Sequence, residues 1–232
     1  GAGMKTLTLA IPSKGRLMEQ AAETLEAAGL SIERSSTDRG YRGQLKGIED
    51  IEVAFLSAAE IAQNLREGKI DFGITGADLL WEKSAPQENL ASVLAPLNFG
   101  FANVAVAVPE CWFDVASMAD LDEVSESFYA RHGRRLRVAT KYLNLTRRFF
   151  AEKGVTGYRT VESLGATEGA PAAGTAEAIV DITTTGSTLA ANHLKVLDDG
   201  IILRSSAVLA ASPAGLADPR ALVLQNNLKK PK

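Results

Sequence analysis

The chain has 232 residues, with 25 Lys+Arg against 28 Asp+Glu for a net charge of −3, and 46% of it is hydrophobic. That apolar content excludes an intrinsically disordered chain, and no apolar run nears the ~20 residues a helix needs to cross a bilayer. A single cysteine, Cys111, excludes a disulfide framework and reads as a small buried apolar residue.

Gly1-Ala2-Gly3 ahead of Met4 reads as a cloning remnant, and no export signal follows it, so a cytoplasmic protein is expected. Residues 6–11 alternate and end at Pro12, as a first strand does, and residues 17–28 carry apolar side chains at helical spacing before Gly29. Residues 51–56 form a second strand. Ser57 and Glu60 then have the spacing of a capping box, opening a helix that stops at Gly68. Residues 70–75 make a third strand before Gly76 and a short helix, and 93–97 and 102–108 are extended. The pattern restarts with a helix over 121–132, a strand over 136–140, a helix over 143–153, a buried strand over 178–182 and a helix over 187–192. Runs at 201–203 and 206–210 return as strands, and Pro219 begins a last helix.

Strands alternating with helices indicate an α/β protein with largely parallel sheets. Two lobes fit the pattern: residues 4–104 with 205–232, and residues 105–204, hinged by strands near 101–108 and 204–210. Ligands of such sheets bind beyond the carboxyl ends of the strands, here in an interlobe cleft.

Three glycine turns fall at such strand ends. Asp181-Ile-Thr-Thr-Thr-Gly-Ser-Thr-Leu189 offers the hydroxyls of Thr184, Thr185, Ser187 and Thr188, a turn at Gly186, and successive N–H groups suited to a phosphate. Its competing reading is an ordinary polar loop. In Ser13-Lys-Gly-Arg16, Lys14 and Arg16 flank a glycine, as anion ligands or as a solvated turn. In Asp71-Phe-Gly-Ile-Thr-Gly-Ala-Asp78, Gly73 and Gly76 permit close approach of another backbone or of a flat ligand beside Thr75, and Asp78 reads alternatively as an ordinary first-turn acid. Arg39 and Arg42 lie in an irregular polar stretch that could close over a cleft. Residues 131–148 hold seven Lys/Arg and no acid, but their expected spread over a strand and two helices argues against a nucleic-acid surface. His132 and His193 lack ligand-spaced partners, and Trp81 and Trp112 read as packing residues.

These segments, with Arg137-Val-Ala-Thr-Lys-Tyr142, Asn144-Leu-Thr-Arg-Arg148, Glu168-Gly-Ala-Pro171 and Asn192, occur in one order that resembles the ATP phosphoribosyltransferase family. The resemblance implies a two-lobed fold like the type II periplasmic binding proteins. It implies a transferase of histidine biosynthesis that joins ATP to phosphoribosyl pyrophosphate at adenine N1 and releases pyrophosphate, with magnesium carried on substrate phosphates. Carried over, Asp181, Thr184 to Thr188 and Glu168 hold phosphoribosyl pyrophosphate. Lys14 and Arg16 are catalytic, and Ser13, Arg39 or Arg42, Gly73, Thr75, Gly76 and Lys141 line the remainder. The short form of the family is implied, a homodimer working with a separate regulatory subunit resembling histidyl-tRNA synthetase. The alternatives are a two-lobed binding or effector-sensing protein, and a phosphoribosyltransferase with another nitrogen nucleophile.

Overall fold

A computed structural model describes residues 4–34, 42–84 and 91–229. The chain forms two units: unit 1 from residues 1–100 with 206–232, and unit 2 from residues 101–205.

Unit 1 opens with β1 (Leu7–Pro12), α1 (Gly15–Ala27), β2 (Ile32–Arg34), β3 (Arg42–Leu45), β4 (Ile51–Leu56), α2 (Ala58–Glu67), β5 (Phe72–Gly76), α3 (Ala77–Lys83) and β6 (Ser92–Pro96). Its seven strands run in the order β2-β3-β4-β1-β5 and then the returning strand Ala207–Ala211 and β6. The central trio is parallel, with Leu9 opposite Val53 on one side and Phe72 on the other. Parallel strands are covered on both faces, and β1 shows why. Leu7, Leu9 and Ile11 enter a core with Ala21 and Leu25 of α1. Ala10 turns to the opposite face, against Ile61 and Leu65 of α2. The expected cap of α2 is present: Ser57 Oγ accepts the Glu60 N–H, and Gly68 closes the helix at φ 71°.

Unit 2 contains β7 (Ala102–Pro109), α4 (Met118–His132), β8 (Leu136–Thr140), α5 (Leu143–Glu152), β9 (Tyr158–Glu162), a 3-10 turn at Thr167–Gly169, α6 (Ala170–Ala173), β10 (Ala178–Thr183), α7 (Ser187–Ala191) and β11 (Leu194–Ser205). Its sheet runs β11-β7-β10-β8-β9. β10 lies parallel to β8 and antiparallel to β7. The chain then re-enters unit 1 with β12 (Ala207–Ala211), α8 (Pro213–Ala217) and α9 (Arg220–Lys229). All five residues of β12 are buried, antiparallel to β5 and β6.

Several expectations are corrected. Cys111 is exposed, because it lies in the turn after β7 where Trp112 N–H donates to the Pro109 carbonyl. Trp81 is 48% exposed rather than packed away. The short run at 201–203 belongs to a twelve-residue strand, β11, with register shifts near Ile201. Within β11, Asp198 N–H donates to the Ala116 carbonyl and Asp199 Oδ1 accepts from Met118 N–H.

Candidate active site

Asp181 to Leu189 forms the floor of a cavity of about 380 Å³ in unit 2. Buried Ile179 and Val180 seat β10 in the sheet; its pairing with β8 ends at Val180, while β7 stays paired through Asp181 to Thr183. Asp181 is the last strand acid, and its Oδ1 accepts the N–H of Ile182. Gly186 then adopts φ 80°, the left-handed region open to glycine at little cost. Its N–H is held by the Thr183 hydroxyl at 3.0 Å, and Thr185 Oγ1 lies 2.9 Å from Ser187 Oγ. A ring of hydroxyls therefore shapes the turn and faces the cavity.

Glu168, Asp181, Thr184, Thr185, Ser187 and Thr188 all line this cavity. Burial pushes the Asp181 carboxyl up, the Ile182 N–H pulls it back, Glu168 pushes it up again and Lys141 opposes; the net is upward. A carboxylate whose charge is disfavoured, with a second carboxylate beside it, forms a place for sugar hydroxyls or a cation. Thr183 was not among the expected residues. It lies two positions beyond Asp181, so strand alternation puts both side chains on one face.

In unit 1, Ser13, Lys14 and Arg16 stand at the carboxyl end of β1. Ser13 N–H donates to the Leu56 carbonyl, and Lys14 is the extended residue ahead of α1. Neither Lys14 nor Arg16 has a hydrogen-bond partner among the described residues. Arg42 lies on β3 and is ion-paired to Glu52 at 2.6 Å. Arg39 lies outside the described residues.

Packing accounts for the glycine at position 73 of β5. A Cβ on Gly73 would stand 2.5 Å from Ile61 Cγ2, so α2 and not a ligand takes the space. Thr75 is buried and donates to the Ala58 carbonyl, and Gly76 precedes α3 against the Asp78 carboxylate. Cavity size does not select the site. A larger one, about 580 Å³, lies between the Cys111–Val115 turn and α4; Asp114, Asp120 and Glu123 line it, but it has no glycine turn carrying a run of hydroxyls.

No group of three or more His, Cys, Asp or Glu among the described residues could hold a metal ion alone. Among the same residues no helix is long and apolar enough to cross a membrane.

The HisG family, described as ATP phosphoribosyltransferase, matches residues 57–230. An ATP phosphoribosyltransferase of Mesorhizobium japonicum is 60% identical over 207 residues, 89% of each chain. One from Rhodopseudomonas palustris is 60% identical over 88% of this chain, which spans 63% of that longer relative. Among solved structures, an ATP phosphoribosyl transferase (HisG:HisZ) complex from Thermotoga maritima shares 28% identity and a TM-score of 0.69 over 97% of both chains. An ancestral amino-acid-binding protein, at 14% identity and a TM-score of 0.52, and the GluR0 ligand-binding core, at 12% and 0.53, share the fold alone, that of type II periplasmic-binding-like α/β proteins. By family match and by identity over most of its length, the chain belongs to the ATP phosphoribosyltransferase family, the transferases of the first step of histidine biosynthesis.

Proposed function

We propose that the hydroxyl-lined cavity of unit 2 is the phosphoribosyl pyrophosphate site of this transferase. The observation that carries the reading is the convergence of Glu168, Asp181 and the 183–188 loop on one cavity. The loop from Thr184 to Thr188 receives the 5-phosphate, with Thr183 bracing Gly186 from behind. Asp181 and Glu168 accept hydrogen bonds from the ribose hydroxyls. Lys14 and Arg16, whose side chains have no partner among the described residues, take the phosphates of pyrophosphate and ATP, and Lys141 adds charge beside Asp181.

The reaction forms a bond between adenine N1 and the anomeric carbon while the carbon–oxygen bond to pyrophosphate breaks, and the electron pair leaves with pyrophosphate. N1 carries no proton, so the step requires no general base. Holding two polyanions in line and stabilising charge on the departing oxygens supplies the catalysis. That fits a constellation of cations, hydroxyls and carboxylates without histidine. Magnesium fits the donor set, since such an ion takes one or two carboxylates and completes its shell with phosphate oxygens and water. The ion would be carried on the substrate phosphates with Asp181 or Glu168 as its one protein carboxylate, and it would neutralise charge on the leaving group.

The enzyme is proposed to act in the cytoplasm as a homodimer. The Thermotoga maritima relative was solved as a HisG:HisZ complex, and a separate regulatory subunit is proposed for this chain too, with feedback arriving in trans.

Gly186→Val tests the site. A Cβ there meets no atom within 4 Å, so any effect comes from φ and not from a clash. A β-branched residue is an outlier at φ 80° and pulls the turn out of shape. Calorimetry with phosphoribosyl pyrophosphate and magnesium should show binding lost in a variant whose circular dichroism is native. Unaltered affinity in the folded variant would move the site elsewhere.

A further inference from the structure

The basic stretch at 131–148 divides in two when its partners are traced. Arg134 and Arg137 both pair with Glu177, at 3.2 and 2.6 Å, and are accounted for structurally. Arg135 and Arg147 instead line a different cavity, of about 540 Å³, together with Arg159. Among the described residues no side-chain hydrogen bond or ion pair is made by these three guanidinium groups, and no acid lines the cavity.

The fold explains how they meet. Arg135 directly precedes β8, Arg147 projects from α5, and Arg159 lies on β9, the outermost strand of its sheet. Leu136 is in register with Tyr158 and Arg137 with Arg159, which brings the start of β8 beside the start of β9. Tyr158 packs its ring on Phe150, with centroids 4.5 Å apart, and lines the cavity beside Thr156 and Thr160. Burial raises the Tyr158 phenol against the pull of Arg147, so at neutral pH it remains a hydrogen-bond donor. Every polar side chain around the opening can donate, and three are cations.

All three arginines are exposed, and their like charges lie around one opening with no carboxylate between them. Guanidinium forks match phosphate oxygens in bidentate geometry. The depression is open to solvent and wider than a single phosphate, so it suits an extended anion held by its charges and not an enclosed ligand. This cavity shares no lining residue with the one around Asp181.

We propose that the cavity formed by Arg135, Arg147, Arg159 and Tyr158 is a second anion site, for a small molecule bearing two or more linked phosphates. Free polyphosphate and a nucleoside diphosphate share that chemistry. The site does not depend on the role given to the 181–189 loop.

The test uses the full chain, with tripolyphosphate, ADP and adenosine as probes. Arginines are modified with phenylglyoxal and mapped by peptide mass spectrometry, with and without probe. Arg135, Arg147 and Arg159 should react in the free chain and be protected by tripolyphosphate. Protection by ADP but not by adenosine identifies the phosphates as the recognised part, and protection by tripolyphosphate alone restricts the ligand to free polyphosphate. Equal modification with and without tripolyphosphate overturns the proposal, and so does protection by an acidic peptide alone, which would make this a protein-docking surface. As a second measurement, Arg147→Glu combined with Arg159→Glu should weaken tripolyphosphate binding about 100-fold, the loss of two charged contacts, in a Gly186→Val background that removes the other loop. Unchanged affinity in that background rejects the site, and the labelling of the unsubstituted chain stands even where a variant fails to fold.

Discussion

Glu177 accepts from the guanidinium of Arg137 at 2.6 Å, from its backbone N–H at 2.9 Å, and from Arg134. Burial alone would push the carboxyl up, but these partners outweigh it and hold the group at about 2, against 4.5 for a free carboxylate. A depressed value means that the ionised form stabilises the fold above about pH 4.5, and that this contribution is lost as pH falls toward 2. Glu177→Gln should therefore cost about 2 kcal/mol at pH 7, the size of a lost charged hydrogen bond. In urea titrations the gap between the two proteins should close below pH 4.5. A gap independent of pH would assign the effect to shape and not to charge. Asp181 has the opposite sign. Its carboxyl is raised, so its ionisation opposes folding, and that cost appears as pH rises through the carboxylate range. Asp181→Asn should raise the melting temperature at pH 7 by up to about 4 °C while reducing phosphoribosyl transfer about tenfold or more. A variant both less stable and fully active contradicts the placement.

At the scale of elements, the glycine of β5 shows what a linear reading misses. Gly73→Ala would drive a methyl into Ile61, which is fully buried on α2. Overpacking of this kind typically costs about 1–3 kcal/mol, so the urea midpoint should fall while Ile61→Val combined with Gly73→Ala recovers part of it. A glycine beside a strand end has two causes, a ligand or a helix, and only the tertiary neighbour separates them. The buried strands β1, β4, β8 and β10 were legible because apolar residues and bounding turns coincide. Edge strand β9 was not, because Tyr158–Glu162 has no fully buried position and carries an arginine among half-buried and exposed residues. The 181–189 loop could be read because an apolar strand, a glycine and a hydroxyl run follow one another. The convergence of Arg135, Arg147 and Arg159 depends on strand pairing and leaves no contiguous trace. Arg42 was legible as a cation but not as the partner of Glu52.

Across the whole molecule, the two units differ in how the chain supplies them. Unit 2 is one continuous segment, while unit 1 takes β12 from beyond it and inserts that strand between β5 and β6. Without β12, β5 and β6 lack a hydrogen-bonded neighbour on their facing edges, and Val208 and Leu209 are missing from the two cores on either side of the sheet. On the ribosome this arrangement inverts the usual N-terminal-first order. The inserted unit has its complete sequence once Ser205 has emerged, whereas the unit that began synthesis first waits for residues 207–211 with an open sheet edge. Nascent chains arrested after residue 205 should thus show protease-resistant unit 2 attached to a sensitive N-terminal region, and extension through α9 should protect both together. The interval between those two lengths is when the newborn protein most needs a chaperone.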